Sequence, residues 1–61
     1  MSQDEAFQAK KLLGDHGFTA RVRKGPGGRD PYIVLVSRED GFAARLDRWH
    51  DAERLIKRQG R

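Results

Sequence analysis

The sequence predicts an α+β fold, a small single-layer α-β-β-β-α domain with a three-stranded antiparallel sheet and two helices on one face. Three observations predict it. Amphipathic stripes at i, i+3, i+7 open and close the chain, at Ala6, Ala9, Leu13 and at Trp49, Ala52, Ile56. Between them lie an alternating run and a β-branched apolar run, followed by a weaker third. Turn formers separate the three, as a glycine- and proline-dense segment and an Asp40-Gly41 step.

The first helix is expected at roughly residues 3–13. Ser2-Gln-Asp-Glu5 is a capping-box pattern, in which a hydroxyl and a carboxylate each satisfy a backbone N–H at the helix start. Phe7 and Leu12 widen its apolar stripe, and Gly14 suits a left-handed residue just past its end. Phe18 to Lys24 alternates, with Phe18, Ala20 and Val22 on one side and Thr19, Arg21 and Arg23 on the other, as in a half-buried strand. Gly25-Pro26-Gly27-Gly28-Arg29-Asp30-Pro31 forms a loop. Tyr32 to Ser37 is apolar on both sides and suits a central strand, and Phe42 to Leu46 is the third. Asp47 is placed to cap the second helix, in which Leu55 flanks the stripe and which Gly60 closes.

Composition limits what such a chain can do. At 61 residues it is one domain, 1–61, and a chain of this length buries only about 60 % of its unfolded surface. Cysteine is absent, which excludes disulfides, thiolate metal sites and CxxC redox motifs. The longest apolar run, Tyr32 to Val36, falls far short of the about 20 residues of a membrane span. No signal-peptide pattern appears either, so a cytoplasmic location is expected. Thirteen basic against nine acidic residues give a net charge of +4 and a pI of about 10.1. The excess concentrates in residues 17–38, at +4, and residues 49–61, at +2, whereas residues 1–16 and 39–48 each carry −1.

A layer of two helices covers one sheet face and leaves the other to solvent. A two-residue Asp40-Gly41 turn would pair Ser37 with Ala44, Val36 with Arg45 and Leu35 with Leu46. Leu35, Leu46 and Phe42 then point inward. The outer face reads Thr19, Arg21, Arg23, Tyr32, Val34, Val36, Arg38, Ala43 and Arg45, with four arginines and no carboxylate. A three-residue Glu39–Gly41 loop would slip the register by one and bring Ile33 and Leu35 outward instead.

The arginines of this face suit phosphate, because a guanidinium fork matches its oxygens in a bidentate manner. Tyr32 could stack on a base. Lys24 and Arg29 flank the glycine-rich tip, which lacks the Gly-Lys-Ser/Thr step and following helix of a P-loop. Arg54, Lys57, Arg58 and Arg61 make a secondary basic face on the second helix, where Glu53 to Lys57 is also an ordinary i,i+4 pair. Set against binding is a structural role, since like charge on a sheet discourages aggregation. His16 and His50 lack further His or Cys partners for a metal site. Ser2, Ser37 and Thr19 are the only hydroxyl nucleophiles besides Tyr32, and none carries a triad pattern. Neither catalysis, a metal nor a cofactor is expected.

Leu12-Leu13-x3-Gly17-Phe18 with Val22-Arg23-Lys24-Gly25 resembles the opening of HicA-type messenger-RNA interferase toxins, which share the α-β-β-β-α order. Their catalytic histidine follows in a Gly-Ser-His step, and Pro26-Gly27 stands there here. The element order is also similar to that of double-stranded RNA-binding domains, but Trp49-His50-Asp51 occupies the place of their basic cluster. Residues 18–59 resemble the arm-site DNA-binding domains of phage integrases in topology and in their arginine-rich sheet.

Two functions are therefore expected as alternatives. One is a basic, non-enzymatic nucleic-acid-binding domain that contacts DNA or RNA through Arg21, Arg23, Lys24, Arg29, Tyr32, Arg38 and Arg45. The other is a protein-interaction module, such as a phage- or plasmid-encoded, anti-CRISPR-like inhibitor, whose arginines meet an acidic surface of a host nucleoprotein complex. A homodimer through a strand edge is a further possibility.

Overall fold

The computed structural model describes residues 1–60. Its elements are α1 (Gln3–Asp15), β1 (Thr19–Lys24), β2 (Tyr32–Ser37), β3 (Ala43–Leu46) and α2 (Trp49–Gln59). The three strands form one antiparallel sheet in the order β1-β2-β3.

Helix α1 starts with the expected capping box. The Glu5 backbone N–H donates to Ser2 Oγ at 3.2 Å, and the Ser2 N–H donates to Glu5 Oε1 at 3.2 Å. It ends later than Gly14, which sits within the last turn. The left-handed residue is Gly17, at φ 89°. There the Phe18 N–H reaches the Leu13 carbonyl at 3.0 Å and the Gly17 N–H reaches that of Gly14 at 3.2 Å, a Schellman closure. Phe18 and Leu13 are both buried, so the hydrophobic contact typical of that closure pulls the chain from helix into β1.

The hairpin between β2 and β3 decides which side chains are covered. Arg38 and Phe42 close it, with the Arg38 N–H donating to the Phe42 carbonyl at 3.0 Å. The loop is therefore the three residues Glu39–Gly41, with Gly41 at φ 95° in the bulge position. Asp40 Oδ1 accepts from the Phe42 N–H at 3.1 Å and stiffens the turn. The resulting register pairs Val34 with Leu46, Leu35 with Arg45, Val36 with Ala44 and Ser37 with Ala43. This is one residue away from the pairing expected of a two-residue turn, and it inverts β2. Val34 and Val36 are buried, Leu35 is exposed and Ile33 shares its outward side.

The core lies between the helices and the inner sheet face. It joins Ala6, Ala9 and Leu13 of α1, Phe18, Ala20 of β1, Val34 and Val36 of β2, Leu46 of β3 and Ala52 of α2. Trp49, Leu55 and Ile56 pack partly buried against it, in keeping with the expected stripe. Alanines at Ala6, Ala9 and Ala52 have no exposed surface, which lets both helices approach closely. Phe7, expected to widen the stripe, is instead 51 % exposed. Helix α2 begins after Arg48, which makes no side-chain cap. Asp47, the expected cap, turns its carboxylate to Arg45.

Candidate functional site

The uncovered sheet face is built in cross-strand rows. Arg21 of β1, Leu35 of β2 and Arg45 of β3 stand directly opposite one another in one row. Arg23 faces Ile33 in the next row, and Thr19, Ser37 and Ala43 make the row on the other side. Arg21, Arg23 and Arg45 are exposed. An open depression on this face is lined by Arg21, Leu35, Ser37, Ala43 and Arg45. The site is thus a basic pair on the flanking strands with an aliphatic centre.

Arg45 carries one internal partner. Its Nε donates to Asp47 Oδ1 at 3.0 Å, with both side chains more than half exposed. Such an exposed pair contributes about 0–1 kcal/mol. An external anion can therefore replace Asp47 at little cost.

Three expected site residues, Tyr32, Arg38 and Lys24, lie on the other side. Tyr32 shares the inward side of Val34 and packs partly buried against the core, so it is not presented on the outer face. Arg38 is enclosed by the hairpin and the end of α2, its side chain only 16 % exposed. Its guanidinium carbon sits 5.2 Å from the Phe18 ring centre and 5.3 Å from that of Phe42. Nη1 donates to the Gln59 carbonyl at 2.9 Å, Nη2 to Gln59 Oε1 at 3.2 Å, and Nη2 lies 2.8 Å from Asp40 Oδ2. Arg38 is a structural clamp that satisfies a terminal carbonyl of α2. The expected carboxylate-free set of four arginines is corrected to three, one of them paired with Asp47.

The β1–β2 loop continues from this face. A second depression is lined by Arg29, Asp30, Tyr32, Ile33, Arg45 and Asp47, among others, so the loop's cation shares a border with Arg45. The Gly25 N–H donates to the Pro31 carbonyl at 2.8 Å and closes the loop base. Lys24 and Arg29 are exposed. Lys24 pairs with Tyr32 at the strand end, on the helix-covered side of the alternation.

Among the described residues, the two helices carry no comparable excess of one sign. Lys10, Lys11, Arg54, Lys57 and Arg58 are matched there by Asp4, Glu5, Asp15, Asp51 and Glu53. Arg54, Lys57 and Arg58 are exposed but interleaved with these acids, and Arg61 lies outside the described residues. Among the described residues, no three His, Asp or Glu side chains gather as a metal-binding group. No helix there is long and apolar enough to cross a membrane.

Leu35, Ile33 and Asp47 are the parts of the site that sequence reasoning placed elsewhere or passed over. The signal for the first two was the glycine at the third position of Glu39-Asp40-Gly41, which fits a bulged three-residue loop as well as a two-residue turn. Compared with protein-family models, curated proteins and solved structures, the chain matches none.

Proposed function

We propose that this protein binds nucleic acid through its uncovered sheet face, as a non-enzymatic module acting in the cytoplasm. The observation that carries the reading is the charge partition. Among the described residues the cations and anions of the two helices balance, while Arg21, Arg23 and Arg45 stand on the open face, with Asp47 bonded to Arg45 and Asp30 at the border of the adjoining loop. Arg29 on the adjoining loop extends the same field, while Lys24 ends β1 on the helix-covered side. Phosphate oxygens are the ligand that guanidinium forks on a solvent-facing sheet suit best.

The test is a titration with duplex and single-stranded probes at two salt concentrations. Three neutralised phosphates give an affinity loss of roughly 40-fold between 50 and 200 mM salt. The double variant Arg21→Glu, Arg45→Glu abolishes binding. Absence of binding at low salt, or indifference to that charge reversal, refutes the reading.

The exposed Leu35 at the centre of the arginines favours a second reading, an interface with an acidic surface of another protein. Interfaces of that kind combine an apolar centre with a polar rim enriched in arginine. Association that survives nuclease and needs Leu35 would select it over the first.

A further inference from the structure

Resting on the nucleic-acid reading, we infer that the occupant of this face is duplex DNA, with Leu35 and Ile33 set against thymine methyl groups in the major groove. The first support is the placement of the aromatic residues. Single-strand binders stack bases on exposed aromatic rings. Here Phe18 is buried, Tyr32 and Phe42 pack on the helix side, and Phe7 and Trp49 belong to the helices. The outer face presents no aromatic ring, and between its arginines stand the aliphatic Leu35 and Ile33.

The second support is spacing. Neighbouring strands lie about 4.8 Å apart, so Arg21 and Arg45 rise from backbones roughly 10 Å apart with Leu35 midway. The B-form major groove is about 12 Å wide. Arginines at that separation reach toward phosphates on its two walls while the central strand faces its floor. The A-form major groove of RNA is too deep and narrow to be read in this way.

The third support is chemistry. Phosphate contacts need no aliphatic centre, yet Leu35 is 36 % exposed and Ile33 lies beside it on the same strand face. On the floor of the major groove the apolar group is the C5-methyl of thymine. Ser37 and Thr19, one row away, supply hydroxyls for base edges or phosphate. A second copy of the chain would not serve as occupant, because it would set arginine against arginine.

The experiment is fluorescence anisotropy of the full chain with four labelled probes at low salt. These are an alternating A-T duplex, the same duplex with every thymine replaced by deoxyuridine, the matching RNA duplex, and oligothymidylate. The thymine duplex binds most tightly, and loss of the methyl weakens binding about fourfold per contacted base, the effect of one buried CH2. In Leu35→Ser the thymine-to-uracil ratio falls toward one while the salt dependence is kept. Leu35→Ala, with a circular dichroism melt, confirms that any loss is not unfolding. Equal affinity for the thymine and uracil duplexes, or tighter binding of either RNA or the single strand, overturns this inference and leaves the nucleic-acid reading standing. Failure to bind any probe overturns both and points to the acidic protein partner.

Discussion

Replacing Arg38 by alanine separates a structural arginine from those proposed to bind. Its guanidinium sits over the touching rings of Phe18 and Phe42, 5.2 and 5.3 Å from their centres, an arrangement that contributes about 1–2 kcal/mol over the two contacts. The bond to the Gln59 carbonyl at 2.9 Å adds about 1 kcal/mol. The ion pair with Asp40, whose side chain is 54 % exposed, adds roughly 0–1 kcal/mol. Allowing for overlap among these terms, Arg38→Ala costs about 2–3 kcal/mol. A 61-residue domain has roughly 3–9 kcal/mol in total, so this is a large share. The melting temperature followed by circular dichroism falls by about 10–20 °C. Arg38→Lys keeps the charge but loses the planar fork, and recovers less than half of that loss. The salt dependence of nucleic-acid binding, measured below the melt, stays as in the parent. A melting shift under about 4 °C, or a binding loss as large as that of Arg21→Glu, refutes the clamp.

Two further outcomes test the register and the charge of the face. Val34→Ala costs about 2 kcal/mol or more in urea unfolding, because Val34 is fully buried, whereas Leu35→Ala costs less than about 1 kcal/mol; the reverse order would restore the two-residue turn. Asp47→Asn frees Arg45 for an external phosphate, so affinity at low salt rises a few-fold with stability changed by less than about 1 kcal/mol; unchanged or weaker binding would take Arg45 out of the contact set.

The order of elements was legible because each carries its own local chemistry. The Ser2–Glu5 capping box and the alternation of β1 operate within a few residues, and both stand as read. The face of β2 was not legible from β2 itself. Tyr32-Ile33-Val34-Leu35-Val36 has no polar contrast between its two sides, so its parity rested on counting residues through Glu39-Asp40-Gly41. Gly41 takes a positive φ, as a glycine would in either turn, and one residue more in the loop exchanges the buried and exposed sets. That single step moved Tyr32 and Arg38 inward and Leu35 and Ile33 outward. The helix boundaries shifted for a related reason. Gly14 and Gly17 both suit a left-handed end, and burial of Phe18 beside Leu13 selects the later one. Asp47 caps nothing because Arg45, two residues back on β3, competes for its carboxylate.

The register also changes what the arginines say about function. Like charges directly opposite one another would destabilise the sheet and so argue for a compensating ligand. Here Leu35 stands between Arg21 and Arg45, and Arg23 faces Ile33, so no two arginines are cross-strand partners. Arg21 and Arg45, roughly 10 Å apart across the sheet, repel little at physiological salt, where the Debye length is about 8 Å. Arg21 and Arg23, about 7 Å apart along β1, are both exposed to screening solvent. The face is therefore stable without a ligand, and cost alone gives no reason to invoke one. What distinguishes it from simple edge protection is sign and placement. Charges of either sign on β1 and β3 would discourage strand pairing equally well. A protective surface also gains nothing from an exposed leucine at its centre, which is itself a liability toward association. Cations of one sign on both flanking strands, around an aliphatic middle strand, instead match a ligand with anionic walls and an apolar group between them.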